Sequence, residues 1–250
     1  MDRMLYTAMS GAKQTLDQQA VVTHNLANAT TPGFRAQLQA MRSLDVAGEG
    51  LPTRSVVQAT TPGADFSQGP LSMTGRSLDI AIDANGWLAV QAEDGSEGYT
   101  KRGDLQIDNT GMLRVAGRPV LGEGGPLVVP LGSAVSIGSD GTVSALGEGE
   151  TPENVAQVGR LKLVSSAANG MLRGDDGLFR APPNAQGNVQ PLPADENVRV
   201  ATGALEGSNV SATEAMVAMI ANARRYELQM KGITSADENA QRANSLLSLS

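Results

Sequence analysis

The chain has 250 residues, 40% hydrophobic but only 3% aromatic, with a formal net charge of −7. That length can bury a sizeable core, and its material is aliphatic. The acidic balance excludes a basic nucleic-acid face or a basic membrane-surface face, and the absence of cysteine excludes disulfides, thiolate nucleophiles and thiolate-bound zinc.

The N-terminal stretch MDRMLYTAMSGAKQTLDQQA has scattered charges and no continuous apolar core of a Sec signal peptide. No apolar run approaches the roughly 20 residues of a membrane span, so a soluble protein without membrane insertion is expected. Leu5, Met9, Ala12, Leu16, Gln19, Thr23 and Leu26 recur at alternating steps of four and three. This spacing predicts a helix with a heptad seam. The helix should stop within NLANATTPGFRAQ, residues 25–37. Pro32 disfavours helical backbone at Thr31, and Gly33 permits a turn that other residues resist. Thr31, Pro32, Gly33 and Phe34 therefore read as a joint, with Phe34 as its aromatic anchor.

Residues 35–76 read as a connecting arm. ATTPG occurs at 29–33 and again at 59–63, a turn-forming pentamer whose recurrence reads as chance in a chain with 29 Gly and 12 Pro. From 77 to 122, and again over 125–146 and 158–164, short apolar runs alternate with turn pairs. Asn85-Gly86, Asp94-Gly95 and Asp140-Gly141 are the strongest of these and suggest type I′ hairpins. Thr110-Gly111 and Ala116-Gly117 suggest looser turns. No helical pattern separates the strands, so a mostly antiparallel sheet is expected. Residues 181–197 are a loop by composition.

SATE at 211–214 is a capping box opening a long C-terminal helix to about residue 248. Its seam runs through Met216, Met219, Ala223, Tyr226, Met230, Ile233, Asp237, Ala240, Asn244 and Leu247. Small, polar and thioether side chains stand where a self-sufficient coiled coil carries Leu and Ile, and Met adapts to irregular partners. Such helices suit packing among many neighbours better than a closed two-helix hairpin. The class is α+β: long terminal helices around a central, mostly antiparallel β domain.

Little chemistry is on offer. The single His24 lies within the first helix and reads as a solvated or packed residue. GEGG at 122–125 lacks the spacing of a dinucleotide fingerprint, and no phosphate-binding loop is present. SDGT and RGDDG lack the ligand alternation of an EF-hand and read as hairpin turns. No catalytic, cofactor-binding or metal residues emerge. Two rival readings are a secreted, β-rich enzyme acting on glycan and a stand-alone coiled-coil stalk. The first lacks aromatic platforms, Trp87 being the only Trp. The second is opposed by the polar seams.

Three blocks carry a resemblance. NLANATTPGFRAQ resembles the N-terminal signature of the flagellar rod and hook axial proteins. SLDIAIDANGWLAV with YTKRGDLQIDNTGMLRVAGRPVLG resembles their core block, and residues 203–248, with an LE-x-SNV start, resemble their C-terminal helix. The TTPGFRAQ and TTPGADF forms look most like a proximal-rod member. Ala84-Asn85-Gly86-Trp87-Leu88 stands where the family block commonly reads G-x-G-F-F, which weakens assignment to distal-rod and hook members; another rod or hook paralogue such as the distal-rod protein is the alternative.

The resemblance implies an inner coiled-coil domain formed by residues 1–34 and 206–250, with an arm at 35–76 and a β-rich domain at 77–205. It implies a structural, non-enzymatic subunit of the basal-body rod, assembling helically with itself and other rod proteins. It also implies export through the flagellar type III apparatus without a Sec signal, and a place in the periplasmic drive shaft. On that reading the assembly seam comprises Leu5, Met9, Leu16, Leu26, Met216, Met219, Tyr226, Met230, Ile233 and Leu247.

Overall fold

The first helix, α1 (Asp2–Ala27), ends within NLANATTPGFRAQ, ahead of Thr30, Thr31 and Pro32. Asn28 closes it: its backbone N–H donates to the His24 and Asn25 carbonyls, and its side-chain amide donates to the His24 carbonyl at 2.9 Å. The last helix, α2, spans Ala212–Leu247. Ser211 caps it, with Oγ accepting the Glu214 amide at 3.3 Å. From Leu71 to Glu206 every strand pairs antiparallel among the described residues. The computed structural model describes residues 2–45, 55–147, 149, 155–165, 170–184 and 187–247, and its class is α+β.

The described residues divide into two compact units, one drawn from 1–29, 37–63 and 210–250, the other from 30–36 and 64–209. In the first unit α1 packs on α2, and strand Gln37–Asp45 pairs with Ser55–Ala64 in a two-stranded sheet. Asn25 joins helix to strand. Its Oδ1 accepts the Gln37 amide at 2.9 Å and its Nδ2 donates to the Gln37 carbonyl at 3.0 Å, so the two ends of NLANATTPGFRAQ bond each other. The two ATTPG copies differ in conformation, the first a turn and the second within strand Ser55–Ala64.

The second unit is built on a five-stranded sheet in the spatial order Leu163–Ser165, Gly86–Gln91, Glu97–Thr100, Phe179–Arg180, Leu172–Arg173. Alternation along Gly86–Gln91 sends Leu88 and Val90 into one apolar cluster and Trp87 and Ala89 into another. Both faces of this strand are thus covered, as its near-continuous apolar run requires. Two three-stranded sheets complete the larger cluster: Ala134–Ile137, Thr142–Leu146 and Ala156–Arg160, and Leu105–Ile107, Leu113–Val115 and Arg118–Pro119.

The turns depart from the sequence expectation. Around Gly95, Gly111, Gly141 and Gly177 one pattern repeats: the glycine amide donates to the carbonyl three residues earlier, and only the glycine takes positive φ, between 79° and 84°. These are type I turns closed by a left-handed glycine, so Asp94 and Asp140 keep ordinary backbone angles. Their carboxylates accept the Ser96 and Thr142 amides instead. Asn85-Gly86 is a tight turn in which Gly86 donates to the Asp83 carbonyl at 2.9 Å, without positive φ. The type I′ geometry falls at Ala116-Gly117, with φ of 50° and 79°, where Val115 pairs directly with Arg118. A two-residue loop demands it there, whatever the residue types.

Candidate functional site

The joint residues and the LE-x-SNV segment meet in the second unit. The Gly33 amide donates to the Glu206 carbonyl at 2.7 Å, and the Asn209 amide donates to the Phe34 carbonyl at 3.3 Å. The Asn209 side chain then bridges three backbone sites. Its Oδ1 accepts the Ala36 amide at 2.7 Å, and its Nδ2 donates to the Asp65 and Ser67 carbonyls at 2.9 and 3.1 Å. Below them lies a buried ion pair, Arg35 Nη1 to Glu206 Oε1 at 2.6 Å, with both side chains 0% exposed. Glu206 Oε1 also accepts the Gly69 amide at 2.9 Å. Arg35 Nε and Nη2 and Glu206 Oε2 have no hydrogen-bond partner among the described residues.

Two further cations surround this clasp. The Arg173 guanidinium lies 4.7 Å from the Phe34 ring centroid and donates through Nη1 to the Arg35 carbonyl at 3.3 Å. Phe34 itself is buried. Lys101 is buried with Nζ donating to the Asp83 and Ala84 carbonyls at 2.7 and 2.8 Å, and it lies 5.3 Å from the Trp87 ring centroid. Burial is the main cause holding its ammonium down to about 8, opposed by the nearby Glu206 charge. Gly33 has a φ of 65°, and a Cβ there would run into the Lys101 carbonyl.

Of the sequence-expected joint, Gly33 and Phe34 are buried, while Thr31 and Pro32 are half-buried; Thr31 accepts the Phe34 amide at 3.3 Å. Sequence reasoning missed the deeper members: Arg35, Lys101, Glu206 and Asn209. The available signal was a charged residue directly behind an apolar anchor in each signature, Arg35 after Phe34 and Glu206 after Leu205.

In the first unit, small and polar residues fill the space between α1 and α2: Ala12, Thr15, Ala215 and Asn222 are buried. Thr15 Oγ1 sits 3.0 Å from both the Gly11 carbonyl oxygen and Gln229 Oε1, and its single proton serves one of the two. Of the expected seam residues, Leu26, Met219, Tyr226 and Ile233 are half-buried. Met9, Leu16, Met216 and Met230 are exposed, as are Val217, Ile220 and Leu228. The side chains of Leu5 and Leu247 lie outside the described residues. His24 is on the exposed side of α1. Among the described residues no group of three acidic or His side chains comes together to hold a metal ion, and no helix is long and apolar enough to cross a membrane.

Three family models match the chain in sequence order. "Flagella basal body rod protein" covers residues 5–35, "Flagellar hook protein FlgE/F/G D1 domain" covers 81–145, and "Flagellar basal body rod FlgEFG protein C-terminal" covers 201–246. Over the full length of both chains the sequence is 57% identical to the flagellar basal-body rod protein FlgF of Salmonella typhimurium, and 56% identical to that of Escherichia coli. It is 32% identical to the flagellar basal-body rod protein FlgG of Bacillus subtilis, over 95% of this chain and 96% of that one. Arg35 closes the first matched segment, and Glu206 and Asn209 fall near the start of the third.

Proposed function

Because the chain belongs to the flagellar basal-body rod protein family, we propose that it is a structural subunit of the proximal rod, working by assembly with copies of itself and with other rod proteins. The family is structural rather than enzymatic. The observation that carries the reading is the inversion of the helix pair. Small and polar residues lie between α1 and α2, while Met9, Leu16, Met216, Val217, Ile220, Leu228 and Met230 face outward. Fully burying such a side chain yields about 1.5–3 kcal/mol, and with these seven 40% to 67% exposed the two-helix pair realises only part of that gain. Neighbouring subunits supply the missing cover, completing a coiled-coil arrangement. A contact between unlike faces that does not close on itself extends into a helical assembly.

Passage through the flagellar type III export apparatus and a position in the periplasm belong to the same reading. Terminal helices that gain most of their burial only beside neighbours stay unassembled until they reach the growing tip. The double substitution Met216→Asp with Ile220→Asp tests it in a strain lacking the native protein. Both side chains are exposed, so the purified variant should melt as the wild type does, while rods and swimming are lost. Normal swimming with this variant would refute the assignment of the helix faces to assembly.

A further inference from the structure

We propose that the buried Arg35–Glu206 pair is a register latch: it fixes how the segment leaving α1 is aligned against the segment leading into α2, rather than adding stability to the unit. The two residues are 171 positions apart in sequence, and closing a loop of that length costs entropy without itself choosing an alignment. Most other bonds between the segments are made by backbone, from Gly33 to Glu206 and from Asn209 to Phe34. Backbone bonds tolerate slippage wherever side-chain patterning is weak, and residue 207 within the LE-x-SNV segment is a glycine.

The ion pair supplies what these bonds lack. Both side chains are removed from water, and Arg35 Nε and Nη2 and Glu206 Oε2 gain no bond within the described residues. Such a pair returns little net stability, because desolvation offsets the attraction. Any shifted alignment, however, leaves a bare guanidinium and a bare carboxylate in a dry pocket. Strand Ala204–Glu206 is itself held to Leu71–Met73, and Glu206 also receives the Gly69 amide. The carboxylate is therefore the fixed half of the latch, and Arg35 is the half that reads the alignment. The inference goes beyond the rod assignment and does not depend on it.

The test uses the full chain, whose lack of cysteine permits clean labelling. Nitroxide labels are placed at Thr30→Cys and Thr202→Cys, both exposed and both in the second unit, and their separation is measured by pulsed dipolar spectroscopy. The parent should give one narrow distance distribution. The apolar replacement Arg35→Met with Glu206→Leu should melt at or above the parent temperature yet give a broadened or split distribution. If the apolar pair melts early, Glu206→Gln is read in its place, and a broadened distribution is again expected. A single narrow distribution in the folded apolar pair, or in Glu206→Gln where the apolar pair melts early, overturns the latch and leaves the rod assignment standing.

Discussion

Gly33 shows how one residue type can be dictated by two constraints at once. Its positive φ disfavours a side chain, and the Lys101 carbonyl occupies the space a Cβ would need. Gly33→Ala should cost roughly 2–4 kcal/mol, combining backbone strain with overpacking; urea unfolding followed through buried Trp87 measures it. Arg35→Met alone should cost more, about 3–5 kcal/mol, because it strands the Glu206 carboxylate. Lys101 makes a prediction about pH. Its folded value is about 8 against an ordinary 10.5. Below pH 8 the amine is charged in both states, so its contribution is flat. Between 8 and 10.5 the unfolded chain holds a proton the folded one has released, so stability should rise with pH. Tyr99 acts in the opposite sense: burial pushes its phenol up from 10, so the folded chain retains a proton that the unfolded one loses, and stability falls above about 10. Thermal melts by circular dichroism should peak near pH 10, and Lys101→Met should abolish the rise while keeping the fall.

At the scale of elements, the helix pair is polar where pairs are usually apolar. Asn222 is 2% exposed, and its Nδ2 has no hydrogen-bond partner among the described residues. A buried amide at a helix seam weakens pairing and discriminates among alignments. Asn222→Leu should therefore stabilise the isolated chain by about 1 kcal/mol in far-ultraviolet melts, while reducing swimming in a complemented strain. Equal melting would mean the amide already finds a partner in the isolated chain. The strands tell a different story about legibility. Their existence and antiparallel sense follow from alternation and turn residues, but the turn type does not. Asp94-Gly95 and Asp140-Gly141 have the residues of a two-residue hairpin, yet the strand register places three residues in each loop, and the glycine alone takes the left-handed angle.

For the whole molecule, the buried apolar residues are concentrated in one unit. Ile80, Leu88, Val90, Leu105, Leu113 and Val143 are 0–1% exposed in residues 64–209, whereas α1 and α2 bury only Ala12, Thr15, Ala215 and Asn222 among the described residues. Limited proteolysis of the purified chain should therefore leave a fragment near residues 64–209 while both terminal helices are cut. Resistance of the entire chain would mean that the helices are already fully stabilised before assembly, and the role given to their exposed faces would have to be abandoned.

Sequence alone set out the terminal helices, a helix stop within residues 25–37, the antiparallel strands and the family, because heptad spacing, turn residues, alternation and three ordered signature blocks are all local patterns. Only the tertiary structure decided which residues hold the signatures together. Phe34 is apolar and announces itself as an anchor, but nothing local to Arg35 says that its partner stands at Glu206, or that Asn209 reaches Ala36, Asp65 and Ser67. It also decided which side of each helix stays uncovered, since Met9 and Ala12 share one heptad seam in sequence while the first is exposed and the second buried. The reason is the same in both cases. A periodic pattern records that a face is apolar, whereas burial and ion pairing depend on what the rest of the chain brings up against it.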